Sequence, residues 1–271
     1  YTITLQADVE VEEGTTLIIN DQPQSNSGTY GAIVSDGGQI VNNGTLNIEG
    51  GNVNDDVIEN GENGMMIVDG AVATQAALNE AVKVEGATVK VKFGFYTFPT
   101  NIAEGVTIEA YTWDDGYVDY VEFQGKSNFD IHGNTVRRVN FWNDQDRVNA
   151  GYGSVINANF EECTFTGVLG IYEAWAGETC NFKKCTFCAP TYACNFSGDS
   201  PKNRVYFEEC TFMGWSSFGV DVSFDKCVFD SEAGGIYNIV RVYGETTFDE
   251  CEFVYGKIKD EAVCLDSIKS G

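Results

Sequence analysis

Cysteine at regular intervals is the first feature that could carry chemistry, because thiolates bind soft metals and exchange disulfides. One phrase holds five of the nine cysteines. It reads Phe160-Glu-Glu-Cys163-Thr-Phe165, Phe182-Lys-Lys-Cys185-Thr-Phe187, Phe207-Glu-Glu-Cys210-Thr-Phe212, Phe224-Asp-Lys-Cys227-Val-Phe229 and Phe248-Asp-Glu-Cys251-Glu-Phe253. Cys180, Cys185, Cys188 and Cys194 cluster, and Cys185-Thr-Phe-Cys188 is a C-x-x-C. Structural zinc sites normally set two such pairs against each other. Here Cys185 already belongs to the repeat, and Cys180 and Cys194 each open a Cys-Asn-Phe phrase of strand character. The expectation is a reduced thiol packed as a small hydrophobe, with no metal and no cofactor. All nine cysteines lie at or after Cys163. That is unlike the framework of a small disulfide-rich secreted domain and points to folding in a reducing cytoplasm.

His132 is the single histidine, in Asp130-Ile-His-Gly-Asn134, with Arg137 and Arg138 close in sequence. It could serve as a general base, but the same letters read as a strand with Ile131 inward and His132 outward before a Gly-Asn turn. Carboxylates pair at Asp55-Asp56 and Asp114-Asp115. The loop Asn143-Asp144-Gln-Asp146-Arg147 offers oxygen ligands, with Asp144 and Asp146 as a weak calcium candidate. With forty-one acids in the chain, a carboxylate pair alone does not identify a glycosidase. We expect no catalytic residue. The aromatics outside the repeat are the better binding candidates: Trp142, Trp175 and Trp215, with Tyr152, Tyr172 and Tyr192 in similar places. Flat rings on a rigid surface suit sugars or a protein partner; the competing reading is that they plug loop bases.

These residues need a scaffold, and the repeat supplies one. Its cysteines fall 22, 25, 17 and 24 residues apart, a period that marks a solenoid whose units bury their apolar faces by stacking. The phrase extends backwards as Val118-Asp-Tyr-Val121-Glu-Phe123 and Val136-Arg-Arg-Val139-Asn-Phe141, with valine in the cysteine slot. Strand side chains alternate with period two, so the slot residue and the Phe two later share a face. The first apolar residue lies three before the slot, so a two-residue corner must intervene. The corner pairs are Asp119-Tyr120, Arg137-Arg138, Glu161-Glu162, Lys183-Lys184, Glu208-Glu209, Asp225-Lys226 and Asp249-Glu250. From the second pair to the fifth the signs alternate, and Glu209, Lys226 and Glu250 continue the alternation, as stacking of opposite charges requires.

Before the repeat, Thr2 to Leu5, Val9 to Val11, Thr16 to Ile19, Gly31 to Val34, Gln39 to Val41 and Thr45 to Ile48 read as strands between glycine turns. Gly14-Thr-Thr-Leu17-Ile-Ile19 and Gly44-Thr-Leu46-Asn-Ile48 are two copies of one motif. Ala71 to Val84 reads as a helix capped by Thr74, with Ala77, Leu78, Ala81 and Val82 as its apolar stripe. Thr88 to Phe98 then alternates, and Gly105-Val-Thr-Ile108 begins a further strand. This order of helix, alternating strand, Gly-x-Tyr turn and Gly-Val-Thr-Ile strand resembles the opening of pectate-lyase-like right-handed parallel β-helices. The resemblance covers roughly residues 71–255 and implies that the helix caps the first coil, covering a sheet end open to edge pairing. It does not extend to catalysis, since the Asn-Thr-Asp, Gly-His-Gly and Arg-Ile-Lys sets of the polygalacturonase-like members are absent.

The expected fold is therefore all-β: a right-handed parallel β-helix of about 22 residues per coil over 71–271, with a short capping helix and an N-terminal β segment over 1–70. A net charge of -25 excludes ordinary nucleic-acid binding and charge-driven docking on anionic lipid. No apolar run is long enough to insert in a membrane. The expected function is a non-enzymatic structural or attachment protein, foremost a bacteriophage virion component such as a fibre, spike or head decoration. It would sit at a virion or extracellular surface, with other virion or surface proteins, its own copies in a homotrimer, and host-surface glycans as partners. A bacterial cell-surface adhesin and a polysaccharide lyase or hydrolase are the alternatives.

Overall fold

The computed structural model describes residues 2–20, 31–50, 52–53, 55–124, 131–142, 155–156, 158–166, 169–171, 179–188, 194–196, 204–214, 216–230, 240–254 and 263–265. Among these residues it is mostly β, with long parallel sheets and one short α-helix. A twelve-stranded sheet runs in the order Thr16–Asn20, Thr45–Glu49, Met65–Val68, Ala71–Val72, Thr88–Val91, Thr107–Ala110, Thr135–Arg137, Asn159–Glu161, Thr179–Lys183, Arg204–Glu208, Asp221–Asp225 and Thr246–Asp249. An eight-stranded sheet begins at Gly94–Tyr96 and ends at Glu252–Val254, and a five-stranded sheet begins at Leu169–Ile171 and ends at Val263–Leu265. From Asn159 onward the chain visits the twelve-, eight- and five-stranded sheets in rotation, and each strand pairs in parallel with the strand of the previous visit.

Register places the repeat in columns. Val136, Phe160, Phe182, Phe207, Phe224 and Phe248 stand opposite one another along the long sheet. The Phe rings of this column are 4.9 to 5.2 Å apart and nearly parallel. Phe141, Phe165, Phe187, Phe212, Phe229 and Phe253 form the second column, with separations of 4.8 to 5.0 Å. The two columns meet edge to face, as at Phe160 and Phe165. Each buried ring contributes about 1.5–3 kcal/mol, and offset or edge contacts add about 0.5–1.5 kcal/mol a pair.

The corner between these columns is made by one residue. Arg138, Glu162, Lys184, Glu209, Lys226 and Glu250 have φ of 50° to 56°, in the left-handed region. None is glycine, so the chain carries this strain, and the corner backbone compensates by staying hydrogen-bonded. Glu162 N donates to Lys183 O at 2.8 Å and Lys184 N to Glu208 O at 2.9 Å in the following row. The slot cysteines lie just inside: Cys185 Sγ is 3.4 Å from Phe160 O of the row before and 3.4 Å from Lys183 O. The five ladder thiols are unbridged, and burial pushes those of Cys163, Cys185 and Cys210 up. The C-x-x-C does not converge: Cys185 is buried, whereas Cys188 lies on the outer face beside Thr166.

One unit differs from its expected form. The residue opposite Val136 is Ile108, not Val118, and Arg137 stands opposite Glu109. Val118 instead belongs to an inserted hairpin, where it bridges Thr112 in antiparallel fashion. Asp119-Tyr120 is therefore not a corner pair. Glu109 takes the acidic place, with its carboxylate 2.9 Å from Arg138. The slot at Val121 is as expected, since Phe123 faces Phe141.

The helix spans Gln75–Ala81, shorter than 71–84, because Ala71–Val72 is drawn into the long sheet. Thr74 caps it, accepting from Ala77 N, and the Gln75 amide pairs with both backbone groups of Thr97. Ala77, Leu78 and Val82 join the main core. The helix does not end the long sheet. That sheet continues through an antiparallel pair, Ala71–Val72 with Met65–Val68, into the N-terminal strands. There the duplicated motif pairs with itself, Leu17 opposite Leu46 and Ile19 opposite Ile48, over a second core of Val11, Ile40, Leu46 and Ile48.

Candidate functional site

The inserted hairpin shapes the candidate site. Thr112 and Val118 pair, and the Trp113-Asp114-Asp115-Gly116-Tyr117 tip folds on three bonds: Trp113 N to Tyr117 O at 2.8 Å, Gly116 N to Trp113 O at 2.9 Å and Tyr117 N to Asp115 Oδ1 at 3.0 Å. Gly116 has φ of 87°, which a side chain would oppose. With Asp69, Tyr111 and Asp119, the tip lines a concavity of about 690 Å³. Asp69 is brought there by the Asp69-Gly70 turn, whose two positive φ values are those of a tight hairpin.

Lys92 pins the hairpin to the sheet. Its side chain is 9% exposed, and Nζ lies 3.6 Å from the centre of the Tyr111 ring and 3.9 Å from that of Trp113. A desolvated ammonium on two aromatic faces is held by their quadrupoles, and Asp69 adds an ion pair at 3.3 Å. Asp119 fixes the other side, accepting from Trp113 Nε1 at 2.8 Å and from Phe93 N at 3.1 Å. Burial raises the Tyr111 hydroxyl pKa first, and the charges of Asp69, Asp114 and Asp119 raise it further. The field in the concavity is thus negative: four carboxylates line it, and Lys92 is ion-paired with one of them, Asp69.

An aromatic patch adjoins it. Phe93, Phe95 and Tyr120 are mutually in contact, with ring centres 6.3 to 6.5 Å apart, yet 62%, 60% and 42% exposed. The Tyr120 hydroxyl donates to Glu122, which together with burial raises its pKa to about 12. Trp113 and Tyr117 are also exposed, at 42% and 60%.

Of the aromatics singled out in sequence, Trp142 lies on the outer face of the eight-stranded sheet, opposite Gln124 and Thr166, and does not line the concavity. Trp175, Trp215, Tyr152, Tyr172 and Tyr192 lie outside the described residues, as do Asp144 and Asp146. His132 stands in the short strand Ile131–His132, followed by Gly133 at φ of 67°, in keeping with a strand and turn. Asp114-Asp115 is drawn into the site, whereas Asp55-Asp56 belongs to a short 3-10 turn. Sequence reading missed Trp113, Tyr117, Lys92 and the Phe93–Phe95–Tyr120 patch. The available signal was an Asp-Gly turn flanked by aromatics. Among the described residues no group of three or more acidic, histidine or cysteine side chains could hold a metal ion, and no helix is long and apolar enough to cross a membrane. No family model, no curated protein and no solved structure matches the chain.

Proposed function

We propose that the chain is a right-handed parallel β-helix that serves as a non-enzymatic attachment protein at a virion or cell surface, and that it holds glycans in the concavity of the inserted hairpin. The rotation of the chain through three parallel sheets, with in-register Phe columns, supports the coil reading. The observation that carries the binding role is the exposure of Trp113 and Tyr117 beside carboxylate acceptors in a concavity on this scaffold. Sugar rings stack on such faces while their hydroxyls donate to carboxylates.

Binding fits better than cleavage. A glycosidase needs one carboxyl to protonate the leaving group and a second to attack or to activate water. Here Asp69 is committed to Lys92 and to Gly50 N, Asp119 to Trp113 and Phe93 N, and Asp115 to Tyr117 N. Three of the four carboxylates thus hold the site together. The test is an array of oligosaccharides followed by calorimetry on wild type and Tyr117→Ala, whose side chain is mostly exposed. We expect wild type to retain a glycan that the variant loses at unchanged melting temperature. Silence across the array overturns the reading.

A further inference from the structure

The geometry points to a ligand class within that reading: an oligosaccharide bearing free amines, bound as its ammonium form in the cavity lined by Asp114, Asp115, Asp119, Trp113 and Tyr117. The inference rests on the glycan reading and narrows it. Its first support is internal, because residues that line the cavity already hold one ammonium. Lys92 Nζ sits on the Tyr111 and Trp113 faces against Asp69, and those three residues line the concavity, so rings and carboxylates of this lining are shown to suit a cation.

The second support is the charge left over. Lys92 offsets Asp69, while among the described residues Asp114 and Asp115 take part in no ion pair and Asp119 accepts only from neutral N–H groups. The outer side of the cavity is therefore uncompensated, beside the exposed ring of Tyr117. A uronate or other acidic sugar would bring a like charge to these carboxylates on a chain of net charge -25. A neutral sugar would stack without using them as counter-charges. A protonated amine uses both features at once, ring face and carboxylate.

Calorimetry on the intact chain at pH 6 decides it, with four probes: a β-linked glucosamine tetramer, its fully N-acetylated counterpart, a galacturonate tetramer and tetralysine. We expect the glucosamine tetramer to bind about tenfold or more tightly than the N-acetylated one, as one desolvated cation contact predicts. That preference should shrink as salt rises. It should also vanish in an Asp114→Asn, Asp115→Asn double variant, in which the amide oxygen introduced at the second position can still accept from Tyr117 N and keep the turn. Equal affinity for both glucosamine forms, or tighter binding of galacturonate, overturns the cationic class and leaves glycan binding standing. Binding of tetralysine with silence from every sugar overturns both readings, because the cation would then belong to a peptide.

Discussion

Lys183 and Glu208 stand opposite each other on neighbouring strands of the long sheet, with Nζ 2.8 Å from Oε1. The same relationship recurs along the corner at Arg137 and Glu161, 2.7 Å apart, at Lys184 and Glu209, 3.8 Å apart, and at Lys226 and Glu250, 4.0 Å apart. The Lys183 pKa is raised, first by its bond to Glu208 and then by that residue's charge. Reversing one basic pair, Lys183→Glu with Lys184→Glu, would stack acid on acid through three successive rows. We expect a lower melting temperature at low salt and a smaller drop at high salt, read by thermal unfolding. An unchanged melting temperature at low salt would remove the role given to the corner charges.

Glu162 is held at φ of 56° and takes part in no ion pair among the described residues. Asparagine tolerates this conformation better than a longer side chain does. Glu162→Asn should stabilise the chain by about 0.5–1 kcal/mol, and Glu162→Val should destabilise it by a similar amount or more. Chemical denaturation measures both. The opposite order would show that the corner is not strained.

The cysteine slot is a packing position rather than a reactive one. Val121 and Val139 already occupy it in earlier rows, fully buried. Cys163→Val should therefore change stability by less than about 1.5 kcal/mol. Phe165→Ala, which opens a hole in the adjoining column, should cost about 3–5 kcal/mol. The buried thiols of Cys163, Cys185 and Cys210 should react with a thiol reagent only on unfolding, and rapid modification of Cys185 in the native state would contradict their burial.

Tyr96 is 6% exposed and donates to Lys92 O at 3.1 Å. Burial first, and the charge of Asp119 second, raise its pKa from 10.0 to about 12. A raised folded pKa contributes stability that is complete below the unfolded value and is lost as pH climbs to the folded one. Stability should thus fall between about pH 10 and 12, by roughly 2–3 kcal/mol from this group. Tyr96→Phe should flatten that part of the curve. An ultraviolet titration that finds every tyrosine ionising near pH 10 in the folded chain would refute the assignment.

Much of the strand pattern was legible because it is local. Thr2–Leu5 and Val9–Val11 fall where alternation and glycine turns put them, and the Phe-x-x-Cys-x-Phe phrase predicts its own corner. The reading failed at Val118, which is apolar and sits three before a slot, as a core residue would. Nothing local distinguishes it from Ile108; only the pairing of Ile108 with Val136 across the insertion does. The candidate site was illegible for the same reason. Lys92, Asp69 and Trp113 come from separate strands and turns, and the long sheet's register is what brings Asp69 and Trp113 each within 4 Å of Lys92 Nζ. Trp142 directly follows the column residue Phe141, whereas the exposed rings of Trp113 and Tyr117 ride on an insertion that interrupts the pattern.

The Asp69-Gly70 reversal also orders events in time. Almost everywhere else, a strand must wait for some twenty residues of intervening chain before it finds its parallel partner. At this turn two strands meet after two residues, and the helix capped by Thr74 follows directly. Short hairpins and helices close in microseconds or less, far ahead of distant parallel pairings. Residues 65–91 are thus the natural nucleus, from which rows add outward in both directions like a zipper. A lesion at Gly70 should slow folding more than it speeds unfolding.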